Sequence, residues 1–80
     1  MVRINNQLNI MANYRVNKNR LSNPNGDNEV HKNDCYHYNR MNDFEELGFH
    51  LTCASAVEAA KLKGYRADGC KMCIPTCHKR

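Results

Sequence analysis

Apolar and polar residues change rhythm several times along this chain, and each rhythm predicts a different element. Residues 1–13 scatter Val2, Ile4, Leu8 and Ile10 among asparagines, which predicts a flexible leader or a short added strand. Tyr14, Val16 and Lys18 then alternate with Arg15, Asn17 and Asn19, the period of a half-exposed strand. The segment from Ser22 to Asn28 is turn chemistry: Pro24 presets φ, Gly26 tolerates positive φ, and Asn and Asp side chains bond the local backbone. Glu29, Val30 and His31 read as the returning strand, completing an N-terminal β-hairpin. Residues 36–48 are polar and acidic and predict a loop, with at most a turn of helix at Asp43–Leu47. Phe49 and Leu51 alternate with His50, which suggests a short strand whose His50 points to solvent.

The clearest element is a helix over about 53–63. Thr52 can serve as N-cap, or Ser55 with Glu58 can form a capping box one turn later. Ala54, Ala56, Ala59, Ala60 and Leu62 favour helix, and Gly64 follows as a C-terminal stop with Lys61 and Lys63 in the last turn. Cys53, Val57 and Ala60 share one face by their i, i+4, i+7 spacing, and that face is expected to pack on Tyr14, Val16, Phe49 and Leu51. Asp68 and Gly69 then predict a turn that presents Cys70 and Cys73. The order is strand, strand, loop, strand, helix, knuckle, a small α+β domain over 14–80.

Composition limits what such a domain can bury. Leu, Ile, Val and Phe together number 14 of 80 residues, below the roughly 20% typical of chains with an ordinary core. A chain of this size needs a staple: metal, disulfides or a partner. Five cysteines, an odd number, rule out complete pairing within a monomer. Asn5, Asn6, Gln7 and Asn9 interrupt any apolar run near Met1, so no secretory signal is expected. No stretch approaches the ~20 apolar residues of a membrane span. A cytoplasmic location follows as the expectation, and there clustered Cys and His read as metal ligands.

The spacing of those residues is specific. Cys70-x2-Cys73 faces a distant His31-x3-Cys35, a four-ligand set of zinc-finger-like spacing. Zinc suits it, because thiolate and imidazole are its preferred tetrahedral ligands. Cys77 and His78 are alternates, either of which can displace His31 as the fourth ligand. Cys73-x3-Cys77-His78 exceeds the haem-attachment spacing Cys-x2-Cys-His by one residue. Cys53 reads as a small apolar residue on the helix face. Its rival reading is a disulfide with Cys35 or Cys77 in an oxidising compartment.

Between His31 and Cys77 the chain resembles the metal-binding domain of Ada-type bacterial DNA-repair proteins and related short zinc modules. The resemblance rests on His31-x3-Cys35, Asn42 and Phe49, the small-residue run Ala54–Ala60, Gly64-Tyr65-Arg66, and Cys70-x2-Cys73-Ile74-Pro75. It covers about half of the chain and departs at Ala67, Asp68 and Gly69, which lengthen the link between Arg66 and Cys70. It implies one zinc held by His31, Cys35, Cys70 and Cys73 in a small α+β domain. In that family the first ligand is a cysteine whose thiolate accepts a methyl group from DNA phosphate. His31 stands at the matching position, and imidazole is a far poorer nucleophile than a metal-activated thiolate. The sequence therefore favours a closed, structural site over methyl transfer.

Charge is unevenly placed. Residues 1–33 carry five basic and two acidic side chains, residues 34–60 one basic and five acidic, and residues 61–80 six basic and one acidic. The terminal cluster (Lys61, Lys63, Arg66, Lys71, Lys79 and Arg80) reads either as an offset to a thiolate-rich zinc site or as a phosphate-binding face. Tyr36, His37 and Tyr38 read as loop residues covering the metal site or as a stacking surface for bases. Asp43, Glu45 and Glu46 read as a solvated acidic run. No catalytic constellation stands out, and the supply of Cys and His exceeds the three ligands of a catalytic zinc. The expected function is a non-enzymatic zinc-binding module that contacts nucleic acid or protein. The alternatives are a thiol-reactive or redox protein using Cys53 or Cys77, and a purely disulfide-stapled domain.

Overall fold

The computed structural model describes residues 11–80, so most of the expected leader, residues 1–10, lies outside the described residues. Four strands, β1 (Ala12–Asn17), β2 (Asn28–Lys32), β3 (Phe44–His50) and β4 (Ala67–Gly69), form one sheet in the order β3-β1-β2-β4. Strand β1 runs antiparallel to both β2 and β3, whereas β2 and β4 are parallel. Among the described residues one α-helix, α1 (Cys53–Leu62), connects β3 to β4. The class is α+β.

The hairpin forms where the alternation and turn residues place it, with β1 starting two residues before Tyr14. Asn23 organises the turn: its side-chain oxygen accepts from the Asn25 and Asp27 N–H groups, and its amide donates to the Asp27 carbonyl. The Asn28 side chain donates to the Asn17 carbonyl and accepts from the Arg66 N–H at 2.9 Å. That one side chain ties β1, β2 and the entrance to β4 together.

Helix α1 has the expected ends. The Thr52 hydroxyl accepts from the Ser55 N–H at 3.1 Å. The Gly64 and Tyr65 N–H groups donate back to the Lys61 and Ala60 carbonyls, the paired bonds of a Schellman stop. Cys53, Ala56, Val57 and Ala60 are its buried face. Together with Tyr14, Val16, Val30, Ala67 and Ile74 they form the core. The residues are small, which lets the helix approach the sheet closely.

Four expectations need correction. The acidic segment from Phe44 onward is strand, not loop or helical turn: Arg15 pairs with Glu46, Val16 with Glu45 and Asn17 with Phe44. Phe49 and Leu51 do not line the core, being 59% and 61% exposed. The register of β3 slips between Tyr14 and Arg15, leaving Leu47 as an extra residue beside Gly48, whose φ is +82°. Such a bulge reverses the in–out parity of everything beyond it. Leu47 therefore turns inward, Phe49 outward, and His50 joins the Tyr14 side, with ring centroids 6.1 Å apart. His50 bonds to the Leu47 carbonyl and the Ser55 hydroxyl instead of pointing freely to solvent. Lastly, Ala67, Asp68 and Gly69 are β4 and not a turn.

Candidate metal centre

Two supports bring the Cys and His residues together. Strand β2 carries His31 near its end, and Cys35 follows through a tight turn closed by its own N–H to the Lys32 carbonyl at 2.9 Å. Strand β4 pairs with β2 and extends into Cys70, whose N–H donates to the Val30 carbonyl at 2.9 Å. The Ile74 N–H bonds back to the Cys70 carbonyl, closing the knuckle that presents Cys73. Ala67–Gly69 is thus the element that carries the second Cys pair to the first.

The ligand atoms of His31, Cys35, Cys70 and Cys73 all lie within 4.8 Å of one another, a group able to hold a metal ion. The Cys35 Sγ stands 3.7 Å from His31 Nδ1 and 4.0 Å from Cys70 Sγ. A tetrahedron with bonds of ~2.3 Å to sulfur and ~2.0 Å to nitrogen has edges of about 3.5–3.8 Å, so the two Cys35 separations are close to an edge, while the wider ones, within 4.8 Å, would contract by up to about 1 Å around an ion. His31, Cys35 and Cys70 are buried and Cys73 is partly so. Were all four to bind one ion, a tetrahedral site would be filled by protein donors alone.

The surroundings orient the donors. The Glu29 carboxylate lies 3.7 Å from His31 Nε2, behind the nitrogen that faces away from the sulfurs. The sequence signal for Glu29 is its i, i+2 position on the strand of His31, which puts both on one face. The Lys32 N–H points at the Cys73 sulfur at 3.5 Å. Hydrogen bonding from the Cys73 thiol pulls the Cys70 thiol down to about 3. The same bond raises Cys73, and burial raises Cys35.

The alternates are engaged elsewhere. Cys77 is joined to Cys53 in a disulfide, so Cys53 is not a lone apolar residue and Cys77 is not a ligand. His78 Nδ1 lies 3.0 Å from the Gly69 carbonyl and 3.2 Å from the Asp68 carboxylate. One disulfide thus staples the chain, and Cys35, Cys70 and Cys73 stay free.

The basic cluster is exposed but partly neutralised. Asp27, 2% exposed, accepts from Arg66 Nε at 3.0 Å and Arg80 Nε at 2.9 Å. Lys63 pairs with Glu45, whose carboxylate also accepts from the Tyr65 hydroxyl. The acidic run is therefore part of the helix–sheet contact and not merely a solvated face. Lys61, Lys71 and Lys79 enter none of the ion pairs among the described residues. Of the aromatic group, Tyr38 is buried against Arg15, while Tyr36 is 64% exposed with the Arg40 guanidinium 4.3 Å above its ring.

The fold and site together define a small α+β domain clasped by a His/Cys cluster. Comparison with protein-family models, curated proteins and solved structures finds no match to this chain. Among the described residues, no helix is long and apolar enough to cross a membrane.

Proposed function

We propose that this chain is a small, non-enzymatic binding module whose fold is clasped by one zinc ion on His31, Cys35, Cys70 and Cys73. The carrying observation is the convergence of those four donors, from two distant segments, within 4.8 Å. Three thiolates and one imidazole favour zinc over the harder oxygen-seeking cations. When bound, the ion joins β2 to the β4 knuckle and supplies folding free energy that 14 large aliphatic and Phe residues in 80 do not. The likeness to Ada-type modules supports the same ligand pairs, and His31 in the first position supports a structural role. The free thiols of Cys35, Cys70 and Cys73 fit a reducing compartment such as the cytoplasm, whereas the Cys53–Cys77 disulfide fits an oxidising one.

Nucleic acid is the partner this reading favours over protein. Lys61, Lys71 and Lys79, which have no carboxylate partner among the described residues, supply phosphate contacts. Tyr36 supplies an exposed stacking face. Native mass spectrometry tests the clasp: one zinc per chain is expected, with loss of tertiary structure on chelation. A chain that binds no zinc, or keeps its fold after chelation, refutes it. Retention on single-stranded DNA or RNA at low salt, declining as salt rises, tests the partner; absence of retention leaves protein as the partner class.

A further inference from the structure

The Cys53–Cys77 disulfide stands apart from the metal cluster and opens onto a cavity of roughly 470 Å³ between α1 and the C-terminal segment. Both sulfur-bearing residues line it, and Val57 contributes an apolar wall. Its rim carries Lys61, Lys79 and Arg80 against Glu58 and Asp68. Asp68 is already occupied, accepting from the Lys79 and Arg80 N–H groups at 2.8 and 3.1 Å. Asp68 is buried and Arg80 is held by Asp27 at 2.9 Å, so the exposed rim charges left are Lys61 and Lys79 against Glu58, a net positive charge beside a disulfide.

The two sulfurs are not equivalent. Cys53 is the first residue of α1, directly after the Thr52 cap, where the backbone N–H groups of the first turn favour a negative sulfur. Cys77 closes a short 3-10 turn, Pro75–Cys77, and does not head a helix. In thiol–disulfide exchange the more acidic thiol is the better leaving group. Direction of attack is thereby set: an incoming thiolate adds to Cys77, and Cys53 leaves.

We propose that Cys53–Cys77 is a thiol-exchange site for small anionic thiols of the glutathione class, entered through this cavity. The thiolate forms a bond to Cys77 Sγ as the Cys53–Cys77 bond breaks, and the electron pair departs on Cys53 Sγ, which takes a proton from solvent. A second thiolate attacks the added sulfur, releasing the thiol's own disulfide and the Cys77 thiolate. Two thiols are oxidised as one protein disulfide is reduced, and the same steps reversed reoxidise the protein. Neither sulfur belongs to the set assigned to zinc, so this inference stands apart from the zinc reading.

The test uses the full chain, with and without zinc, incubated with glutathione, acid-quenched and mapped by peptide mass. Glutathionylation at Cys77 is expected, on a chain that keeps its native circular dichroism. Rates compared per thiolate should favour glutathione over the cationic cysteamine by about tenfold or more, as for other electrostatically guided encounters. The surface pair Lys61→Glu with Lys79→Glu should erase that preference. An adduct on Cys53, equal rates for the two thiols, or opening no faster than global unfolding would each overturn the proposal.

Discussion

Gly69 lies against Cys77 so closely that a Cβ built on Gly69 would stand 2.7 Å from the Cys77 carbonyl carbon and oxygen. The neighbour is backbone and is tied to α1 through Cys53, so it has little room to retreat. Gly69→Ala should therefore cost about 1–3 kcal/mol, as overpacking does in other cores. A chain of this size would lose roughly 4–8 °C of melting temperature per kcal/mol. An unchanged melting curve would show that the terminal turn moves freely against β4.

Gly48 gives the contrasting case. Its φ is +82°, and no atom lies within 4 Å of the position a Cβ would take. Gly48→Ala should cost only the backbone penalty, about 1–2 kcal/mol for an L-residue in that region. Urea unfolding with an unchanged m-value is the measurement. A larger loss would mean that the bulge itself has collapsed and β3 has changed register.

Behind the proposed zinc site, Glu29→Gln removes the charge facing His31 Nε2. Outer-shell substitutions of this kind typically weaken metal binding about 10–100-fold. Competition with a chromophoric chelator should place the variant at the lower end of that range, because the Glu29 side chain is 29% exposed. Cys35→Ser and Cys70→Ser should instead abolish stoichiometric binding. Equal affinity of wild type and Glu29→Gln would remove Glu29 from the site.

Alkaline stability has a predicted shape. Burial pushes the Tyr14 phenol up to about 12, while an unfolded tyrosine loses its proton near pH ~10. The unfolded chain ionises first, so stability intact below about pH 10 declines as pH rises toward 12. Tyr65, raised to about 12 chiefly by its hydrogen bond to Glu45, adds a smaller, solvent-screened share. Tyr14→Phe should flatten the decline in urea midpoint between about pH 9 and about pH 11. A slope identical to wild type would contradict it.

Local chemistry made much of this fold legible from sequence. Thr52, Gly64 and the small residues between them define α1 through its caps, which depend on near neighbours alone. The two ligand pairs are readable because each lies within one turn of chain, and the structure brings His31, Cys35, Cys70 and Cys73 together. Non-local features were not legible. Strand β4 is three residues without alternation, and its partner β2 lies 39 positions upstream. The bulge at Leu47 is a single extra residue, yet it turns Phe49 out and His50 in. The Cys53–Cys77 pairing was one of several open options, since spacing does not determine disulfide connectivity.

Parallel pairing of β2 with β4 also orders the events of folding. The β1–β2 hairpin closes over ten residues, 18–27, so its strand holding His31 and leading to Cys35 can assemble early. Strand β4 must wait until β3 and α1 are threaded, because contacts that distant demand loop closure before they return any energy. Half of the donor set is thus displayed on a nascent hairpin before the other half arrives. A cation captured there would serve first as bait for the Cys70 knuckle, and only afterwards as its clasp.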